Sequence, residues 1–275
     1  QLPGLPLRTV WCLEMIDLYQ EATAEEIVRK MEGFIEAHPQ LAGWCGFSPH
    51  APYTASQTLY TLAAGAAAAR GALLTTHVAE SSEEDDMFRR GTGPMYDYFA
   101  RAGRDMGDCK RLGVVQLLAE WGVLGTNCLA VHANCLTPHD VKLLHKTGTH
   151  VVHCPKSHRY FNRGVPMLSA LWEEQVNICL GTDSLASNDT LNMFAEMQTL
   201  SHVYPRLPPE QILHMATING ARALNRGGKL GQITPGAYAD LIAVPAQNVA
   251  DPIEAVVYAE SPVVFAMVNG KVVRG

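Results

Sequence analysis

Apolar runs that alternate with helical segments are the feature that most constrains how this chain folds. Six such runs lie at 7–16, 42–50, 72–80, 127–134, 149–155 and 176–184. Most are followed by a stretch with helical spacing of apolar residues or with helix caps. Strands that are apolar along their whole length are buried on both faces, as in parallel sheets covered by helices. The pattern therefore predicts an α/β fold of about six βα units.

Helix signals lie between these runs. Helices are expected at 24–37, 56–71, 111–122, 137–148, 165–175, about 190–203 and 209–224. Ser56 is the expected N-cap of the second helix, and Gly71 the residue that ends it. The segment 137–148 starts with Thr137, Pro138 and, three residues after the cap, Asp140, which is the pattern of a capped helix start. The segment 81–108 is Gly-rich and long for a connection, so it is predicted to be an irregular functional loop.

The texture of the sequence changes after residue 225. Asn269-Gly270 separates two valine-rich runs, which is a strong signal for a β-hairpin. We therefore predict two domains, a main α/β domain over 1–225 and a small β domain over 226–275.

Composition limits the partners. The net charge of the 275 residues is -6, which does not favour binding to nucleic acid or to an anionic membrane surface. The longest apolar runs are too short to span a membrane. Seven cysteines, with no Cys-x-x-Cys pair, indicate a reduced cytoplasmic protein. The expected partner is a small-molecule substrate, and a homo-oligomer stays open.

Titratable or polar residues recur where the predicted strands end. They are His50, His77 with Glu80, His132, Ser157 with His158, and Asp183. Any one of these has an ordinary structural explanation, such as a turn or a hydrogen-bonded histidine. In a closed parallel barrel, however, the carboxyl ends of the strands converge on the face where active sites are built. Recurrence at five successive strands favours one shared site.

The residue types indicate metal-dependent hydrolysis. Imidazole and carboxylate together bind zinc or iron, and we assign His77 and Asp183 as the ligand pair. A bound metal lowers the pKa of water to about 7. Glu80 is close enough in sequence to His77 to take a proton from that water and pass it to a substrate. His132 is expected to orient the water and the developing charge. Asp183 is counted as a catalytic residue as well as a ligand.

Five ordered motifs carry a family resemblance. They are "SPHAPYT", "THVAES", "VHAN", "CPKSHRYF" and "LGTDSLASN", followed by "GKLGQITPGAYADLIAV". The set resembles the amidohydrolase superfamily in its cytosine-deaminase-like and chlorohydrolase-like branch, and looks most like its aminodeoxyfutalosine deaminases. The resemblance implies a (β/α)8 TIM-type barrel with one divalent metal, Zn or Fe. It also implies substrate contacts for His50, and for Ser157 and His158 in the segment "CPKSH".

The first barrel strand of that family carries a His-x-His pair. No two of the eleven histidines in this chain are two residues apart. The first apolar run resembles the third strand of the family. The chain is therefore expected to hold strands 3–8 of a barrel in 1–225, and part of a small β-sandwich domain in 226–275, with the N-terminal part missing.

The resemblance implies a hydrolase that acts on C–N bonds other than peptide bonds. In the complete protein it would deaminate an aminated purine-like ring or nucleoside. Dechlorination of a triazine-like ring is the alternative within enzymes. An alternative outside the enzymes is an inactive truncated fragment or binding remnant that lacks the His-x-His ligands.

Overall fold

The computed structural model describes residues 7–18, 22–41, 43–246 and 250–275. Residue 42, where the second predicted strand begins, lies outside these ranges. The strands are β1 (Trp11–Met15), β2 (Cys45–Pro49), β3 (Leu73–Val78), β4 (Cys128–His132), β5 (His150–His153), β6 (Ile178–Leu180), β7 (Leu241–Ala243), β8 (Phe265–Val268) and β9 (Lys271–Arg274).

Helices follow most of the strands. They are α1 (Ala24–Ala37), α2 (Gln57–Arg70), α3 (Ser82–Asp85), α4 (Pro94–Arg101), α5 (Val114–Glu120), α6 (Pro138–Thr147), α7 (Pro155–Tyr160), α8 (Leu168–Glu173), α9 (Met193–Val203), α10 (Pro209–Ala216), α11 (Ile218–Ala223) and α12 (Pro252–Val257). A 3₁₀ turn covers Pro39–Leu41, and a π-helical turn covers Asp86–Arg90. None of the helices in the described ranges has both the length and the apolar character that crossing a membrane requires.

The six strands β1 to β6 form one sheet in chain order. Every pair from β1 to β5 is parallel, with Met15 opposite Pro49 and Val78 opposite His132. The order confirms the predicted βα alternation. The interiors of β2, β3 and β4 are almost fully buried, as their continuous apolar runs predicted.

Local sequence explains where the helices begin and end. The Ser56 side chain accepts a hydrogen bond from the Leu59 N–H, and Gly71 ends α2 in the left-handed conformation with φ 58°. Thr137 and Asp140 cap each other's backbone N–H groups at the start of α6. Both caps were predicted, because each satisfies backbone donors that a helix start leaves without partners.

The prediction of an irregular loop over 81–108 was wrong. Two helices and the π-helical turn lie there instead. Ser81 caps α3 by accepting the Glu84 N–H, and Pro94 occupies the first turn of α4. The glycines lie in the joints, since Gly91 and Gly93 have φ of 62° and 96°. The glycine content therefore marked turns between short helices, where a left-handed backbone suits glycine.

Two further boundaries differ from the prediction. The segment after β5 forms α7, whereas no helix was predicted there. The single helix expected over 209–224 is divided into α10 and α11 at Thr217, where φ is -127° and ψ is -89°.

The described residues form two compact units. One unit, here called the strand unit, comprises Val10–Val152 and Arg163–Asn177. The other, here called the C-terminal unit, comprises residues 7–9 of the described chain with His153–Asn162 and Ile178–Gly275. In the C-terminal unit β7, β8 and β9 form an antiparallel sheet, and Asn269-Gly270 turns between β8 and β9 with φ of 51° and 76°. The predicted hairpin is thus confirmed.

Candidate metal centre

His77 lies near the carboxyl end of β3 and is half-buried. Its Nδ1 lies 2.9 Å from the main-chain carbonyl oxygen of His50. A carbonyl oxygen only accepts hydrogen bonds, so Nδ1 carries the proton. The lone pair of neutral His77 is therefore on Nε2, which is the state that a metal-binding imidazole needs.

His132 ends β4 and is 3% exposed. Its ring stacks on the His77 ring, with centroids 5.3 Å apart. The backbone of His132 has φ 74°, and Ala133 has φ 50°. Residues with side chains rarely adopt this left-handed region, and where they do the strain commonly accompanies function. The bend turns the chain out of the sheet directly after the histidine.

Glu80 follows β3, and its carboxylate lies beside His132. Glu80 Oε1 is 3.8 Å from His132 Nε2 and 3.0 Å from the guanidinium of Arg163. The main-chain carbonyl of Glu80 accepts hydrogen bonds from Asn134 Nδ2 at 3.1 Å and from Arg163. The backbone N–H of Glu80 donates to Glu84 Oε2 at 2.6 Å. The side chain and both backbone polar groups of Glu80 thus have partners.

His50 follows β2 and completes the group in the strand unit. Its Nδ1 lies 2.6 Å from Thr54 Oγ1, and its ring centroid lies 4.9 Å from that of His77. Burial lowers the pKa of His50 below its ordinary value, and the neighbouring His77 lowers the pKa further. His50 is therefore neutral at physiological pH. The strand unit brings together four of the predicted residues, namely His50, His77, Glu80 and His132.

Asp183 follows β6 in the C-terminal unit, with φ 56°. Its Oδ2 accepts a hydrogen bond from Ser157 Oγ at 2.7 Å and another from Ser187 Oγ. Its Oδ1 accepts the Ser184 N–H at 2.8 Å. These three hydrogen bonds fix the orientation of the Asp183 carboxylate.

Ser157 and His158 lie on α7. Ser157 is buried and donates a hydrogen bond to Asp183, and a substrate contact of Ser157 stays a prediction. The His158 ring lies 5.9 Å from that of His153, a buried histidine at the end of β5. His153 was not singled out in the sequence, although "THVVHCP" places it at a strand end as the other histidines are placed.

Sequence reasoning also missed three partners of the predicted residues. Arg163 and Glu84 contact Glu80, and Ser187 contacts Asp183. Spacing signals two of them, because Glu84 and Ser187 each lie four residues after the group that they contact. Arg163 lies 83 positions from Glu80 in the chain, and nothing in its local sequence marks the contact.

A cleft of about 750 Å³ lies within the C-terminal unit. Its lining includes Lys156, Arg159, Tyr160, Ser187, Asn188 and His202. Lys156 forms an ion pair with Asp189, which also lines the cleft. The lining is about equally polar and apolar, and the cleft is large enough for a drug-sized molecule.

The Amidohydrolase family matches residues 7–273. The chain belongs to this family. That membership confirms the resemblance carried by the strand-end motifs.

Two curated relatives are deaminases. A 5-methylthioadenosine/S-adenosylhomocysteine deaminase of Syntrophobacter fumaroxidans is 35% identical over 239 residues, covering 82% of this chain and 50% of the relative. An aminodeoxyfutalosine deaminase of Deinococcus radiodurans is 33% identical over 250 residues, covering 80% of this chain and 59% of the relative. The chain thus spans about half the length of the curated relatives that it matches.

A solved structure shares the fold. An adenosine deaminase from Xanthomonas campestris with bound zinc superposes with a TM-score of 0.82 at 26% identity, covering 98% of this chain and 61% of that one. The likeness confirms the predicted fold class, an α/β chain of (β/α)8 barrel type with six βα units here. The antiparallel sheet near the C-terminus is likewise confirmed.

Proposed function

We propose that the protein is a metal-dependent hydrolase that deaminates an aminated purine-like ring, in a nucleoside of the adenosine or aminodeoxyfutalosine class. The observation that carries the proposal is the position of the Glu80 carboxylate beside His132 Nε2. His132 lies on β4, which pairs with β3, the strand that carries His77. The names of the two curated relatives and of the zinc-bound structure support the same reaction. We also propose that residues 1–225 form a partial hydrolase barrel and that residues 226–275 form part of a small β domain.

The donor set fits one divalent metal, zinc or iron. His77 and Asp183 are the proposed ligands, and the His132 imidazole stacks on that of His77 within the strand unit. The proton on His77 Nδ1 leaves Nε2 as a donor, and the hydroxyls of Ser157 and Ser187 orient the Asp183 carboxylate. Imidazole nitrogen and carboxylate oxygen are ligands that both metals accept. When bound, the metal supplies a water whose pKa is lowered to about 7 and which is nucleophilic at neutral pH.

Glu80 moves the proton in this proposal. Its carboxylate accepts a proton from the attacking water and delivers it to the ring nitrogen next to the C–NH2 carbon. The C–O bond forms as the ring C=N π bond opens and its nitrogen takes the first proton. The exocyclic C–N bond then breaks, and the amino group, having taken up the second water proton, leaves as ammonia. The products are the ring carbonyl compound and ammonia, which balance the substrate and one water.

The two histidines beside Glu80 have different proposed tasks. His132 is held against Glu80 by the left-handed backbone that follows β4, so it can orient the water and the charge that develops on it. His50 is neutral and is oriented by Thr54, so it can contact the substrate by a hydrogen bond without adding charge. Ser157 and His158 remain proposed substrate contacts, and Ser157 also orients Asp183.

The test is an ammonia-release assay on the complete reading frame, loaded with zinc or with iron. The panel holds adenosine, 5'-deoxyadenosine, 5'-methylthioadenosine, S-adenosylhomocysteine and aminodeoxyfutalosine, with a chlorinated triazine as the comparison compound. We expect ammonia from at least one nucleoside and one bound metal per chain. A metal-loaded protein that releases no ammonia from any nucleoside would refute the proposal, and chloride release from the triazine would replace it with dechlorination.

A further inference from the structure

Glu84 carries a buried carboxyl group that accepts a hydrogen bond from the backbone of Glu80. It lies on α3, is 1% exposed, and accepts the backbone N–H of Glu80 at 2.6 Å through Oε2. Its own N–H is capped by Ser81 Oγ at 3.2 Å. Its other oxygen, Oε1, is buried without a hydrogen-bond partner among the described residues. Burying a carboxyl with one oxygen unsatisfied costs free energy, so stability alone does not explain the group.

The main chain is strained directly before Glu80, and both backbone polar groups of Glu80 are held by hydrogen bonds. Ala79, directly before it, has φ 48°. On the carbonyl side, Asn134 and Arg163 donate to the Glu80 oxygen. On the amide side, the Glu80 N–H donates a hydrogen bond to Glu84 Oε2. A left-handed alanine persists only where neighbouring contacts fix it, and Glu84 supplies the contact on the N–H side.

We propose that Glu84 is the positioning residue that fixes the main chain of Glu80, and so aims the Glu80 carboxylate at the reacting atoms. The inference rests on the proposed function, because it takes Glu80 as the group that moves the proton. Burial raises the pKa of Glu84 to about 8, so the group is largely protonated at neutral pH. A neutral acid beside Glu80 avoids placing a second negative charge next to the proton carrier.

Three single variants of the metal-loaded full protein test this. Glu84→Met keeps the length and burial of the side chain but has no oxygen to accept the Glu80 N–H. We expect kcat to fall by about 10²-fold, with KM and metal content unchanged, because a small displacement of a catalytic group has that effect. Glu84→Gln retains an acceptor oxygen, so its kcat is expected within about threefold of the parent. The control is Glu83→Gln, an exposed neighbour on α3, with no loss expected.

A double variant separates positioning from general support of the fold. In a protein that already carries Glu80→Gln, Glu84→Met should lower kcat no further, because two residues that act as a unit are not additive. An equal fold-loss in both backgrounds would show that Glu84 is structural and would overturn the proposal, as would unchanged kcat in Glu84→Met alone. If Glu84→Met fails to fold, Glu84→Asp takes its place, since the shorter acid draws the acceptor away from the Glu80 N–H.

A second readout is independent of the reaction. We expect Glu84→Met to raise the hydrogen-exchange rate of the Glu80 amide at least about tenfold, because that amide loses its acceptor, while Glu83→Gln leaves the rate unchanged. If the parent protein releases no ammonia, the proposed function fails on its own assay, and the exchange rate still decides whether Glu84 holds Glu80. Equal exchange in Glu84→Met and the parent would overturn the inference.

Discussion

The main-chain carbonyl oxygen of His50 accepts two hydrogen bonds from His77, one from the backbone N–H and one from Nδ1, each 2.9 Å long. The first bond joins the ends of β2 and β3, and the second fixes the orientation and the tautomer of the imidazole. The sheet itself therefore prepares His77 Nε2 as a donor atom, and no separate side chain is needed to do so.

Replacing His77 should remove metal. His77→Gln deletes the imidazole nitrogen, and we expect metal affinity to fall by more than about 10²-fold, above the usual effect of losing a partner of a ligand. Metal per chain after dialysis against graded chelator measures this. His139→Gln, an exposed histidine on α6, is the control and should keep its metal. Full metal retention in His77→Gln would exclude His77 as a ligand.

Replacing Glu80 should stop the reaction and spare the metal. Glu80→Gln keeps the size of the side chain but cannot take a proton from water, so kcat should fall by at least about 10²-fold. Metal content and kcat are measured on the same preparation, with Glu83→Gln as the control. Loss of metal with activity restored on reloading would make Glu80 a structural support.

The serine hydroxyls that donate hydrogen bonds to Asp183 should strengthen metal binding. Ser157→Ala and Ser187→Ala each remove one hydrogen bond to Asp183 Oδ2, so each should weaken metal binding by about tenfold or more. Competition with a fluorescent chelator measures the affinity. Ser184→Ala is the control, because it keeps the backbone N–H that donates to Asp183 Oδ1. Equal affinity in all three variants and the parent would contradict a ligand role for Asp183.

The fold was predictable where signals are local. Thr137, Pro138 and Asp140 start a helix by satisfying its first backbone donors, and the structure has α6 beginning at Pro138. The prediction of an irregular loop over 81–108 was wrong, because glycine is common both in loops and at helix ends; here Gly91 ends the π-helical turn and Gly93 precedes α4. Period and cap signals are weak in helices of four to eight residues.

The candidate site was predictable only in part. His50, His77, Glu80 and His132 could be found because parallel strands place their carboxyl ends at one edge. The contact of Arg163 with Glu80 could not, since it depends on the path of a loop 83 residues further along the chain. The left-handed backbone at Ala79 also escapes the sequence, because alanine rarely adopts that region.

Stability should depend on pH through Glu84. Burial raises its pKa in the folded chain to about 8, from 4.5 when exposed. The folded state therefore holds this proton more tightly than the unfolded state, so its stabilising contribution is complete below about pH 4.5 and is lost as pH rises through about 8.

In metal-free protein with chelator, urea unfolding at pH 5, 7 and 9 should show the parent losing stability with rising pH, by an amount on the order of a few kcal/mol. Glu84→Gln should lose markedly less, because glutamine does not titrate. Glu83→Gln should follow the parent, since a hydrogen bond from its own backbone N–H lowers the pKa of Glu83 and keeps it ionised throughout this range. If the curves of the parent and Glu84→Gln ran parallel from pH 5 to pH 9, Glu84 would already be ionised in the folded chain, and its carboxyl would be better solvated than its burial indicates.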